Sequence, residues 1–554
     1  MTATPPHALL ADAGALTPQQ LRQWIHDGQE LAILDVREEG VFARGHLLLA
    51  GNAPLWRLDA VLPRLVPRLG TRVVLVDGDG TLLARAVQRL QRDFGYTQVR
   101  WLAGGTAAWQ AAGLEVFSGI NLLSKAFGEV IEHALDTPRI EATELRERLE
   151  RGDDLVVVDG RTPEEFRNFS IPGARSLPNG ELLYRIAELA PNPDTLVVVN
   201  CAGRTRSILG AQTLIDAGIP NPVVALKDGT MAWLQHGLAL RHGATDALPE
   251  PSAAGLAAAR TRAAAVAQRA GVAGIDAAQL AAWRADSARS LYLFDVRTRE
   301  EYEAGHLPAS RWVPGGQLVQ ATDQYIGTRH ARVVLVDWDG VRARTTAAWL
   351  AQLGAHEVYL LPAQPQAQLL EAGPEPRPVR LGAQAAPAIS PTQLQQLLQQ
   401  RAGQGVAVYD VDSSLAFAKR HVAGAQFAAP DRLPAFLATL APGSTAVITS
   451  ADGTLAQAVA AELLRPDAAA APAAGLDLRA LAGGNAAWFE QGLPTDSGRT
   501  AILTGDDDDW YSPYAYTDPQ ERLAKMREYL DWEVALAAGL ARDGGARIRL
   551  AGRA

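Results

Sequence analysis

Four stretches of this chain repeat one pattern of apolar and polar positions. In each, an apolar run ends at an aspartate: LAILDVREE, LVVVDGRTPEE, LYLFDVRTREE and VAVYDVDSS, with Asp35, Asp159, Asp295 and Asp410 at the ends. A second apolar run follows in every copy (RVVLVD, TLVVVN, ARVVLVD, TAVITS), then a short polar turn and an amphipathic segment such as TRSILGAQTLIDAG. A third short run (QVRWLA, PVVALK, EVYLLP, LDLRALA) completes the unit. Short apolar runs bounded by turns predict strands, and the helical spacing between them predicts helices. Strands alternating with helices imply an α/β domain with a parallel sheet. Successive copies start one small domain apart. The pattern therefore predicts an α/β chain of four tandem domains over residues 15–118, 127–243, 272–375 and 388–498, each a small parallel sheet flanked by helices.

Three copies close on a small-residue turn and a tryptophan: AGGTAAW, KDGTMAW and AGGNAAW, ending at Trp109, Trp233 and Trp488. The third copy reads PAQPQAQLLEAG there and lacks the tryptophan. Residues 244–270 are Ala-rich and predict a connecting helix, and 374–389 read as a Pro/Ala linker. Residues 499–554 form a tail with an acidic run from Asp506 to Asp509, an aromatic stretch WYSPYAY, and a helix from about Pro519 to Leu540. The acidic run reads as a solvated loop.

Composition narrows the chemistry. A net charge of -9 argues against general nucleic-acid binding. No apolar run reaches the ~18 residues of a membrane span. The N-terminus carries no basic segment followed by an apolar core. One cysteine among 554 residues excludes an intramolecular disulfide and a cysteine-based zinc site. These features predict a cytoplasmic protein without metal or cofactor.

That cysteine, Cys201, sits in LVVVNCAGRTRSILG, directly after a predicted buried strand and before a predicted helix. The C-terminal edge of a parallel sheet is where α/β proteins build their sites. The turn directs backbone N–H groups toward whatever is bonded to sulfur. A helix N-terminus and two nearby cations, Arg204 and Arg206, are expected to lower the thiol pKa.

The order of Asp-x-Arg, Gly-His-type turn, strand, cysteine loop, helix and Gly-x-x-x-x-Trp resembles the rhodanese superfamily over nearly all of residues 15–498, in four copies. The resemblance implies a sulfurtransferase. Its loop cysteine takes sulfane sulfur from a donor, holds it as a persulfide and passes it to a nucleophilic acceptor. The family's six-residue loop maps onto Cys201, Ala202, Gly203, Arg204, Thr205 and Arg206. Cys201 is then the nucleophile, and the amides of 202–206 cradle the outer sulfur. Arg204 and Arg206 are candidate binders of an anionic donor, with thiosulfate first. The acceptor is cyanide or a thiol, since no second cysteine is present to resolve the persulfide internally. A protein donor or acceptor fits equally.

Comparison among the copies weighs the remaining residues. His46, His306 and His421 occupy the Gly-His position in the three copies without the cysteine, and the cysteine-bearing copy has Ser170 there. A structural role follows. Asp159 and Arg161 recur as Asp35–Arg37 and Asp295–Arg297, so loop architecture is their main expected role, with a share in shaping the Cys201 pocket. Cys201 is replaced by Asp77, Asp337 and Ser450 in the other copies, which read as catalytically silent. Two rival readings exist. A phosphatase or arsenate reductase needs an arginine six positions after the cysteine, where this chain has Ser207. A persulfide carrier or scaffold, fed by a protein partner, would show little turnover on small donors. A neighbouring silent module or the tail is expected to cover part of the Cys201 opening.

Overall fold

The computed structural model describes residues 14–362, 370–375, 385–401, 404–465 and 475–552. Within them one parallel sheet recurs in each of the four repeats. In the second module the strands lie in the order Arg139–Ile140, Val223–Leu226, Leu196–Asn200, Leu155–Asp159, Arg175–Ser176, all parallel. The same order holds in the first module, from Ala15–Leu16 to Gly51–Asn52, and in the third, from Ala273–Gly274 to Arg311–Trp312. It holds again in the fourth, from Ala388–Ile389 to Gln426–Phe427. The part of the third repeat that lacks the tryptophan falls largely on residues 363–369, and most of the Pro/Ala linker on 376–384. Both lie outside the described residues.

Both faces of each sheet are covered, as the near-continuous apolar strands require. In the second module Val158, Val197 and Val199 enter one core with Leu182, Ala211 and Leu214. The alternate positions Val157 and Val198 enter another with Leu145, Phe166 and Trp233. The strand that leads to Cys201 is therefore fixed from both sides.

The modules form two compact units, each of two modules that are not the pairs a linear reading suggests. One unit contains residues 32–120 with 377–515, the first and fourth modules. The other contains 121–376, the second and third modules, together with residues 22–31 and 516–554. In the first unit, Arg85 pairs with Glu462, and Arg465 with Asp93 at 2.9 Å. In the second, Trp349 Nε1 donates to Thr213 Oγ1 at 2.8 Å. There Arg342 also joins Glu181 at 3.0 Å to Glu301 at 2.6 Å.

The tail is divided between the units, which corrects the reading of its acidic run as a solvated loop. Asp507 pairs with Arg44 at 2.5 Å and Arg432 at 3.0 Å. Asp508 is buried and accepts the Ser414 N–H at 2.7 Å, at the start of helix Ser414–Lys419. Fixed cations and a helix N-terminus supply what water would otherwise supply. The second part of the tail is a helix over Pro519–Asp543, started by the Asp518 cap. The Ala-rich segment is a helix over Ala253–Arg269. Among the described residues, no helix is long and apolar enough to cross a membrane.

The three Gly-His histidines are buried and stacked on an aromatic ring of their own module: His46 on Phe42 at 3.6 Å, His306 on Tyr302 at 3.8 Å and His421 on Phe417 at 3.6 Å. They pack the turn after the short helix that follows the Asp-ended strand, Glu39–Arg44, Arg299–Ala304 or Ser414–Lys419. The Asp-x-Arg pairs brace that same turn. Arg161 binds Asp159 at 2.8 and 2.9 Å and donates to the Phe169 carbonyl at 2.6 Å. Arg37 and Arg297 repeat this on Gly45 and Gly305. In the fourth module Asn485 takes the arginine's place on Asp410, at 2.7 Å.

Candidate active site

Cys201 follows strand Leu196–Asn200, and its loop ends where helix Thr205–Asp216 begins. Three anchors hold the loop. Asn200 Nδ2 donates to Asp159 at 2.9 Å, tying the strand end to the Asp-x-Arg pair. The Thr230 and Met231 N–H groups donate to the Cys201 and Ala202 carbonyls at 2.9 and 3.1 Å. This approach depends on Gly229 at φ +54°, where a Cβ would lie 2.4 Å from the Cys201 carbonyl oxygen. The third anchor is Gly128 of helix Leu122–Leu135, where a Cβ would come within 3.2 Å of the Thr205 Cα.

The thiol is 2% exposed. Sγ lies 3.5 Å from the Ser207 hydroxyl, which itself donates to the Arg204 carbonyl at 2.8 Å. Burial pushes the Cys201 pKa up. Arg206 and the Ser207 hydroxyl and N–H oppose this without overcoming it, and Glu533 adds to the rise. The expected low-pKa thiol is thus corrected: desolvation outweighs the cations and the helix N-terminus in this closed arrangement.

Both arginines are engaged by carboxylates. Arg204 donates to Glu129 at 2.7 and 2.8 Å, to Asp228 at 2.8 Å, and to Glu132. Arg206 forms a two-point pair with Glu165 at 2.7 and 2.8 Å. Burial disfavours the Glu165 carboxylate, but Arg206 overrides it and holds the pKa down at about 2. The Arg206 pair recurs in the third module, which has Asp337 in place of the cysteine: there Arg342 meets Glu301 at 2.6 and 2.8 Å. A pair shared by a module without the cysteine is loop bracing first. Arg204 and Arg206, the candidate binders of an anionic donor, are thus both paired with carboxylates in this structure.

The silent loops reveal what the cradle accepts. Asp337 receives the N–H groups of Gly340 at 2.9 Å, Val341 at 3.0 Å and Ala343 at 2.8 Å. These are the counterparts of Arg204, Thr205 and Ser207. Asp77 receives those of Gly80 at 2.7 Å and Leu82 at 2.9 Å. Ser450 receives that of Ala456 at 3.1 Å. In two modules the loop amides thus enclose a carboxyl group supplied by the residue at the cysteine's own position, and burial pushes its pKa up. Cys201 lacks a second polar atom to fill the same space.

Several residues at the site escaped the sequence. Glu129, Glu132 and Asp228 hold Arg204, and Tyr529, Leu530 and Glu533 of helix Pro519–Asp543 lie over Gly203. The tail does cover the loop, as expected. Two of these residues left a signal. Arg204 stands where the other copies have Gly80, Gly340 and Gly453, and Asp228 where they have Gly104 and Gly483. Paired departures from the repeat mark an interaction private to this module. Asp228 even adopts φ +56°, which a glycine would take more easily.

The rhodanese-like domain model matches residues 17–112, 141–236 and 276–363. A sulfurtransferase from Allochromatium vinosum is 34% identical over 99 residues, 18% of this chain and 90% of that protein. An HTH-type transcriptional regulator from Mycobacterium tuberculosis is 34% identical over 105 residues, 19% of this chain and 45% of that protein. The crystal structure of a thiosulfate sulfurtransferase from Pseudomonas aeruginosa aligns with a TM-score of 0.89 and 42% identity, covering 97% of this chain and 100% of that one.

Two predictions follow from the geometry. Iodoacetamide alkylation of Cys201 in the folded protein is slow at neutral pH, and its rate continues to rise above pH 9, read by intact mass. Arg204→Met leaves Glu129 and Glu132 buried without their cation and costs about 3–5 kcal/mol, read as a lower denaturant midpoint of the unit that carries Cys201. Repeat pattern, sheet order, loop and matched relatives agree: the chain belongs to the rhodanese-like family and is sulfurtransferase-like along nearly its whole length.

Proposed function

We propose that the protein transfers sulfane sulfur through a persulfide on Cys201, with thiosulfate as the donor and cyanide or a thiol as the acceptor. The observation that carries this reading is the loop itself: Cys201 stands at the end of its strand in the place where the Asp77 and Asp337 carboxyl groups accept the loop N–H groups in the first and third modules. The Cys201 thiolate attacks the outer sulfur of thiosulfate, the sulfur–sulfur bond breaks, and sulfite leaves with the electron pair. The N–H groups of 202–206 and of Ser207 then hold the terminal sulfur of the persulfide, and Arg206 contributes its field at fixed distance. Asp159 and Arg161 act through the strand end by fixing Asn200. A single cysteine that has to remain reduced suits a reducing, cytoplasmic compartment.

The burial of Cys201 beneath the tail helix favours a second reading, a persulfide carrier loaded by a protein partner that opens the site. The two differ in whether a small donor alone loads the chain. Incubation with thiosulfate is expected to add one sulfur atom to the wild-type mass and none to Cys201→Ser, and cyanide is expected to remove it as thiocyanate. Loading only by a protein persulfide would select the carrier. An unchanged mass with every donor would refute both.

A further inference from the structure

At the edge of the third module's sheet, beside strand Ala273–Gly274, lies a cleft of about 1040 Å³. It falls wholly within the unit that carries the second and third modules, and none of its walls comes from the Cys201 loop. One wall is the C-terminal segment, where the order Arg547-Ile548-Arg549-Leu550 alternates charge with apolar bulk. Ile548 and Leu550 are half-buried against the core of the unit, and Arg547 and Arg549 are exposed. That is the period-two pattern of an extended segment with one face packed. Two contacts fix it in place. The Arg549 N–H donates to the Gln352 carbonyl at 2.8 Å. Gly354, at φ +69°, lets the chain cross closely, since a Cβ there would lie 1.8 Å from the Arg547 carbonyl oxygen.

The charge in the cleft is one-sided. Arg269, Arg547 and Arg549 line it together with His330 and His356, and the carboxylate among the lining residues is Glu357. Glu357 is already engaged: Arg289 donates to it at 2.8 Å and the Tyr359 hydroxyl at 3.2 Å. Arg547 donates to the His26 carbonyl at 3.0 Å, Arg269 donates to the Asp216 carbonyl, and neither Arg547 nor Arg549 forms an ion pair among the described residues. Next to them Arg329 is 7% exposed; it donates to the Gly545 carbonyl at 3.3 Å, and its Nε has no hydrogen-bond partner among the described residues. The other carboxylates whose charge reaches this region are Asp27, Asp216 and Asp543. Asp27 accepts the Gln29 N–H at 2.8 Å and Asp543 the Gly545 N–H at 2.9 Å. The protonated forms are disfavoured accordingly. Burial, then Arg329 and His330, push His356 down to about 3, and burial, then Arg547, push Arg329 down to about 10.

In a chain of net charge -9, a cleft with uncompensated positive charge calls for an anion. Guanidinium forks match phosphate oxygens at two points each. Three arginines and two imidazoles around one space suit several negative charges held close together, which a single carboxylate does not supply. Val358, Tyr359 and Leu550 add apolar surface beside the cations, and the volume exceeds that of an inorganic ion. We infer that this cleft binds a polyanion of the pyrophosphate class, free or as the end of a nucleotide, with its charge between Arg547 and Arg549.

The test is isothermal titration of the full chain with pyrophosphate, ADP, adenosine and sulfate. Wild type is compared with Arg549→Ala, with the Arg547→Ala, Arg549→Ala double variant, and with Arg146→Ala as a control on an exposed helix of the second module. Pyrophosphate is expected to bind wild type and Arg146→Ala alike. Its affinity is expected to fall on the order of 10-fold in Arg549→Ala and 10²-fold in the double variant, and to weaken with added salt. Adenosine is expected not to bind. ADP binding tighter than pyrophosphate would identify the ligand as a nucleotide, and equal or weaker binding would identify free pyrophosphate. An unchanged denaturant midpoint shows that a lost affinity is not lost folding. If the double variant does not fold, Arg549→Ala alone decides. No heat with either pyrophosphate or ADP, sulfate binding as tightly as pyrophosphate, or undiminished affinity in the arginine variants would overturn the assignment.

Discussion

Backbone N–H groups gathered around one side chain at the end of a parallel strand are the constraint on which the rest of this structure depends. Such groups cannot be repositioned by choosing another side chain. They have to be aimed by the strand before the loop, the helix after it and the helix whose N-terminus receives the loop carbonyls. In the first, second and fourth modules the loop carbonyls meet a glycine turn: Gly105 beside Asp77, Gly229 beside Cys201, Gly484 beside Ser450. In the first and third modules the aspartate at the cysteine's position accepts those N–H groups itself.

Holding the loop requires charge deep in the protein, and the second module concentrates it. Arg204, at a position where the other copies have glycine, is buried against three carboxylates. Such a group is stable only when each charge is hydrogen-bonded, which here includes the helix Leu122–Leu135 that precedes the module. The helix Pro519–Asp543 packs on the same helix and on the loop. The active loop is therefore assembled from three segments far apart in sequence. A module cut out at residues 127–243 would lose the tail helix and the first turn of helix Leu122–Leu135.

Much of the fold was legible because each repeat carries the same local signals. Aspartate-ended strands appear in all four copies, and the turn histidine and the Trp-bearing helix in three each, so one ambiguous copy is corrected by the others. Cys201 stood out as the candidate nucleophile for the same reason: it is the position where the copies differ in chemistry and not in pattern. The thiol's protonation was not legible. The sequence places two arginines beside the sulfur, but Glu165 and Glu129 that neutralise them lie on other elements, and burial of the loop comes from residues 529–533, more than three hundred positions downstream. The pairing of modules one with four and two with three was equally hidden, since it rests on contacts such as Trp349 with Thr213 that no repeat-level pattern encodes. The acidic run at 506–509 was misread because arginines that meet it, Arg44 and Arg432, are distant in the chain.

The most direct test of the account is a sulfur anomalous difference map from crystals soaked in thiosulfate. The account predicts one new peak about 2 Å from Cys201 Sγ, within hydrogen-bonding reach of the N–H groups of the 202–207 turn, and none beside Asp77, Asp337 or Ser450. A new sulfur bound elsewhere, or a persulfide whose outer atom points away from those amides, would contradict it.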